Sequence, residues 1–188
     1  AEVAQQADII LIEGVMGLFD GAPSTADLAA TLGIPVLAVI DASAMAQTFA
    51  ALAFGLAKFR QDVTLTGVLA NRVGSARHAE MLTSTLPDDL PYLATMPRQT
   101  ESLPSRYLGL VQADELTDLS ERLDKLADSI QLNPNFVLPQ IKLDYEPVEA
   151  LPPLLKDLRI GVAKDAAFAF IYRANLDCLT AMGAELVF

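Results

Sequence analysis

The stretch STADLAATLGIPVLAVIDAS, residues 24–43, sets a helix signal, its stop and a strand signal in succession. Ser24 is a hydroxyl suited to an N-cap, Gly33 closes the helical stretch Ser24–Leu32, and Ile34–Asp41 is an apolar run that ends on an acid. A short continuous run of this kind marks a strand buried on both faces, as in a parallel sheet lying under helices. Asp8–Glu13 (DIILIE), Leu65–Asn71 (LTGVLAN) and Pro91–Met96 (PYLATM) repeat the pattern. Ser43–Phe59 carries apolar residues at helical spacing, and Ser75–Leu86 opens on another capping hydroxyl. Strand and helix alternate, which predicts an α/β fold with a parallel sheet and right-handed crossovers.

Further along, Asp114–Ile130 places leucines at 116, 119, 123 and 126 on one face and charges on the other, the pattern of a surface helix. Residues 131–157 follow without steady periodicity and carry Pro134, Pro139, Pro147, Pro152 and Pro153, which reads as a linker. Leu158–Lys164 then starts a new strand, Ala174–Gly183 reads as a helix, and Leu186 lies in a second strand. The expected organisation is a first domain over residues 1–130, a linker over 131–157 and the opening β-α-β of a second domain over 158–188.

With 188 residues, 52% of them hydrophobic, the chain can bury a real core. Thirteen basic residues against 24 acidic ones give a net charge of −11, which disfavours nucleic acid and anionic lipid as partners. One cysteine forms no internal disulfide, no run is long enough for a membrane helix, and the opening residues do not read as a secretory signal, so none is expected. A soluble cytoplasmic protein is expected.

In an open parallel sheet, ligands collect where the strands end. Glu13, Asp41 and Asn71 each close an apolar run, and Asp20 follows Glu13 across a turn containing Gly14 and Gly17, with Gly21 beyond. An ionised carboxylate at a buried strand end is costly unless it meets a cation or a set of N–H groups, and Mg²⁺ beside a polyphosphate is one solution. The alternative is a glycine-rich turn with solvated acids. Asn71 can read the edge of a purine base or satisfy backbone in the turn before Ser75, and Arg72 can hold a phosphate or pin a neighbouring loop. Asp41 and Ser43 either face a substrate or cap the next helix; the cap is the simpler reading. The sole histidine, His78, has no second ligand for zinc and reads as an exposed helix residue. Cys178 lacks the partner that makes a thiolate and reads as structural. Arg98 and Arg106, in a long polar loop, suit a polycarboxylate or phosphate, and surface ion pairs equally.

Four blocks, EGVMGLFDG, GVLANRVGSARHAEML, LPSRYLGLVQADE and RIGVAKDAAFAFIYRANLDCLTAMGAELVF, resemble the cobyrinic acid a,c-diamide synthase family, glutamine-dependent amidoligases of cobalamin biosynthesis. The resemblance implies an ATP-binding synthetase domain of the dethiobiotin synthetase and P-loop NTPase type, followed by a class I glutamine amidotransferase domain. It further implies Mg²⁺ at Glu13 and Asp20, which would carry catalysis, adenine at Asn71 with Arg72 beside it, and substrate near Asp41 and Ser43. ATP, glutamine and a corrinoid polycarboxylate are the implied small-molecule partners, and a homodimer is compatible with them.

The family's glycine-rich loop ending in Lys-Thr or Lys-Ser has no counterpart here, nor do the cysteine and histidine of its amidotransferase. Cys178 does not match that nucleophile. The chain is therefore expected to be an internal stretch across the domain junction, unable to hydrolyse glutamine and weak in ATP binding. The rival readings are a cobyric acid synthase-like amidoligase, whose acidic motif does not normally continue into MGLFDG, a partition-type regulatory ATPase, and a non-enzymatic binding module.

Overall fold

The computed structural model describes residues 7–100, 103–104, 111–141 and 149–188. The chain divides into two compact units, Asp8–Lys142 and Ala1–Ala7 with Leu143–Phe188.

The larger unit is α/β. Its elements run α1 (Thr25–Leu32), β1 (Val36–Asp41), α2 (Thr48–Lys58), β2 (Leu65–Val73), α3 (Ala76–Thr83), β3 (Tyr92–Pro97), α4 (Leu119–Ser129) and β4 (Gln131–Leu132). The sheet order is β1-β2-β3-β4, with the first three strands parallel and β4 antiparallel to β3. Local chemistry sets the helix ends. Ser24 Oγ accepts from the Asp27 amide at 3.1 Å while the Ser24 amide donates to Asp27 Oδ2 at 2.8 Å, a reciprocal capping box. Gly33 ends α1 in the left-handed region at φ 62°, where a side chain is disfavoured. Ser75 caps α3 by accepting from the His78 amide at 3.1 Å.

Packing follows the apolar pattern. Phe49 of α2, Val68 of β2 and Leu82 of α3 are fully buried, and Ala38, Ile40, Ala53, Ala70 and Leu90 close around them. Burying one such large side chain contributes roughly 1.5–3 kcal/mol. Outside the core, Arg60 pairs with Asp27 at 2.6 Å and also with Asp62, joining α1 to the segment after α2. The Asp27 carboxyl is held down to about 2, first by the Ser24 amide, then by Arg60 and the Ser24 hydroxyl.

Five expectations are corrected. Asp8–Glu13 is not a strand: Ile9 is 60% and Leu11 85% exposed. A strand exists only through a ladder, and no described strand pairs with this run. Nor is β1 buried on both faces. Ala38 and Ile40 face the core, but Val39 between them is 61% exposed. The helix expected over Ser43–Phe59 starts only at Thr48, and the one expected over Asp114–Ile130 starts at Leu119, after a short 3-10 turn at Ala113–Glu115.

Finally, the proline-containing segment does not begin as a free linker. Gln131 and Leu132 pair with Thr95 and Ala94, the Asn133 amide donates to Leu93 O at 2.8 Å, and Asn133 Nδ2 donates to Tyr92 O at 2.8 Å. The Phe136 ring covers Gly67 so closely that a Cβ there would lie 2.6 Å from its Cε2. Local composition pointed to coil, but β3 offers an unpaired edge, and pairing with it outweighs propensity.

In the smaller unit, β5 (Arg159–Gly161) and β6 (Glu185–Val187) pair in parallel, with α5 (Arg173–Ala181) between them in sequence. Among the described residues, no helix is long and apolar enough to cross a membrane.

Candidate functional site

β1 and β2 finish side by side, with Asp41 the register partner of Asn71 and the Ala42 amide donating to Asn71 O at 2.9 Å. The parallel register thus brings Asp41, Ser43, Asn71 and Arg72 to one end of the sheet. Asp41 Oδ1 accepts from the Ser43 amide at 2.9 Å, and Asp41 Oδ2 receives Arg72 Nη1 at 3.1 Å. Those contacts hold the Asp41 carboxyl at about 2, the Ser43 hydroxyl and amide acting first and Arg72 after them. The helix-capping reading of Asp41 and Ser43 is overturned, because α2 starts beyond them and its N-cap, Gln47, makes no side-chain cap bond.

Arg72 adopts φ 61°, a left-handed conformation uncommon for a residue with a side chain. Its amide donates to Asn71 Oδ1 at 2.9 Å, so the asparagine steadies this turn with its oxygen. That bond fixes the orientation of the Asn71 amide, and no bond engages its NH₂ among the described residues. Through its side chain Arg72 adds an ion pair between the two strand ends.

Glu13 and Asp20 stand apart from this cluster. Glu13 lies in an exposed segment without regular structure, and Asp20 is also exposed. The turn between them is nevertheless anchored. The Asp20 amide donates to Gly17 O at 3.0 Å, the Ala26 amide donates to Leu18 O at 2.9 Å, and the Phe19 ring lies 4.7 Å from Phe59. A Cβ at Gly17 would collide with Asp20 Oδ2, so the bare backbone there leaves room for the carboxylate. Neither acid is held in an ion pair among the described residues.

Among those residues no three His, Cys, Asp or Glu side chains gather as a metal site. Two exposed carboxylates do not fit a closed protein cage. They do fit the way Mg²⁺ is usually held, by one or two carboxylates with phosphate oxygens completing the shell. A cavity of about 100 Å³ lies beyond Asn71, bordered by Gly74, Ser75 and Thr95. Ligand pockets commonly run from about 300 Å³ upward, so this one is too small to enclose a nucleotide.

His78 is the residue that sequence reasoning misjudged. It is not a free surface side chain: its Nδ1 accepts from the Gly74 amide at 3.1 Å and its Nε2 lies 2.8 Å from Met45 O. The Ser75 cap was a usable signal, since it sets His78 in the first turn, where a ring reaches back over the preceding loop. Nothing in the sequence marked Met45 as its partner. Arg98 is exposed, and its amide donates to Val73 O at 2.8 Å; Arg106 lies outside the described residues. Cys178 is exposed on α5, with Sγ 4.0 Å from Met182 Sδ.

Comparison with known proteins gives whole-chain matches. The chain is 58% identical over its full length to a hydrogenobyrinate a,c-diamide synthase of Stutzerimonas stutzeri, of which it spans 44%. It is 55% identical to one of Pseudomonas aeruginosa, again over its full length and 44% of that protein. A cobyrinate a,c-diamide synthase of Herminiimonas arsenicoxydans is 46% identical over the full chain, which covers 43% of it. The chain is homologous to the a,c-diamide synthases. It spans less than half the length of these curated relatives. No protein-family model matches it, and no solved structure does.

Proposed function

We propose that the protein carrying this chain catalyses ATP- and glutamine-dependent amidation of the a and c carboxylates of cobyrinic or hydrogenobyrinic acid, in the cytoplasm, as a step of cobalamin biosynthesis. The observation that carries the reading is the 58% identity, over the whole chain, to a synthase named for that reaction. In this reading Asp8–Lys142 belongs to a synthetase domain of the P-loop NTPase type, and Leu158–Phe188 opens a glutamine amidotransferase domain.

The chemistry divides into two balanced steps. A substrate carboxylate oxygen attacks the γ-phosphorus of ATP, the bond to the leaving ADP breaks, and an acyl phosphate forms. Ammonia released from glutamine then attacks the acyl carbon, the carbon–oxygen bond to phosphate breaks, and the amide remains after loss of a proton. Glu13 and Asp20 would hold Mg²⁺, which neutralises phosphate charge when bound. Asn71 presents its free NH₂ to the adenine edge. Asp41, charged and pinned by Arg72 and Ser43, cannot act as a proton donor near neutral pH; it orients the strand-end loop toward the corrin carboxylates instead.

The test uses the complete protein with Mg-ATP, glutamine and either the cobalt-free or the cobalt-containing acid. ADP release that depends on both glutamine and corrinoid, together with a diamide product by mass, is expected. ATP turnover indifferent to both would overturn the assignment and favour a regulatory ATPase.

A further inference from the structure

The hydrogen bonds at the strand ends form a closed ring. Ala42 donates its amide to Asn71 O at 2.9 Å, and Met45 donates to Ala42 O at 3.1 Å. His78 Nε2 meets Met45 O at 2.8 Å, and the Gly74 amide meets His78 Nδ1 at 3.1 Å. Gly74 returns to Asn71 through three peptide bonds of the main chain. The ring therefore joins the end of β1 and the loop after it, with Asp41 and Ser43, to the last residues of β2 and the loop after it, with Asn71 and Arg72 before Gly74. His78 is its sole side-chain member.

The two partners decide the state of the imidazole. A backbone N–H can only donate, so Nδ1 facing Gly74 must present a lone pair. A carbonyl can only accept, so Nε2 facing Met45 must carry the proton. Only the neutral Nε2–H tautomer satisfies both. The other neutral tautomer sets two hydrogens against each other at Gly74 and two lone pairs at Met45. The His78 amide is held by Ser75 Oγ, so the ring projects from a capped, fixed turn.

We propose that His78 is a positioning residue for the strand-end site: as the Nε2–H imidazole it clasps the loop after β1 to the loop after β2 and sets the spacing of Asp41 and Ser43 against Asn71 and Arg72. It touches no reacting atom. Its role in turnover rests on the amidoligase reading above, whereas the clasp itself rests on the hydrogen-bond geometry alone.

In protein labelled with ¹⁵N-histidine, the His78 ring signals, assigned by their loss in His78→Gln, are expected to show a single Nε2–H tautomer at neutral pH. In His78→Leu the Gly74 amide should exchange markedly faster and amidation kcat/KM should fall on the order of tenfold. His78→Gln, which keeps an acceptor and a donor on neighbouring atoms, should restore part of both. A mixture of tautomers, or Gly74 exchange unchanged in His78→Leu, overturns the clasp. Faster Gly74 exchange with amidation untouched overturns the positioning role. A wild-type protein that amidates no corrinoid counts against the amidoligase reading, and the tautomer and Gly74 exchange still decide the clasp.

Discussion

Arg72 reaches from the end of β2 to the end of β1, its Nη1 3.1 Å from Asp41 Oδ2, while its own backbone holds φ 61°. The pair is half exposed, so its effect on folding is small, as for most surface ion pairs. Its effect on position is larger, because no other ion pair among the described residues ties these two strand ends. Arg72→Ala is expected to leave the thermal midpoint almost unchanged while lowering kcat/KM for amidation by roughly tenfold. Parallel melting and steady-state assays would check this, and an equal drop in both would refute it.

Ser43 does more than Arg72 to keep Asp41 ionised. The carboxyl is depressed from its ordinary 3.8 to about 2. Ser43→Ala and Arg72→Ala should each move the Asp41 titration upward, and neither all the way to 3.8, because the amide at position 43 stays in place in both. Carboxyl NMR titration of the two variants reads the shifts directly.

Gly17 makes room for Asp20. Gly17→Ala drives a methyl into the Asp20 carboxylate, and the turn lies outside the core. Mg-ATP-dependent turnover is expected to drop on the order of a hundredfold with the fold intact. Circular dichroism beside an ADP-release assay separates the two effects.

Ser24→Ala removes the α1 cap and should cost about 1 kcal/mol. It also removes the hydroxyl bond to the Asp27 carboxyl, itself depressed from 3.8 to about 2. A group depressed in the folded state stabilises above its unfolded value and loses that contribution as pH falls through its folded value. Wild-type stability should thus decline between about pH 4 and pH 2 through Asp27, more gently in the variant. Denaturant melts across that range would show parallel curves if Ser24 had no such role.

Phe49→Ala empties the centre of the core beneath β1 and β2. A loss of about 3–5 kcal/mol is expected, read by urea unfolding.

The sequence announced the elements wherever local chemistry was self-sufficient. Ser24, Gly33 and Ser75 mark helix ends correctly, and the apolar runs ending at Asp41 and Asn71 are strands that bring the candidate site residues together. It failed where an outcome depends on partners distant in sequence. Asp8–Glu13 has the right composition for a strand and no described ladder to join, whereas Gln131–Leu132 has little strand character and pairs because β3 offers an edge. His78 was misread for the same reason: its role depends on a carbonyl 33 residues away.

That two-residue antiparallel strand also bears on how the larger unit can be handled in isolation. Ending an expressed segment at Ile130, where the leucine-patterned helix stops, would cut away the backbone that occupies the open side of β3. The same cut would remove the aromatic ring seated over Gly67. A segment running past Ile141 keeps both, and it is the one expected to stay monodisperse.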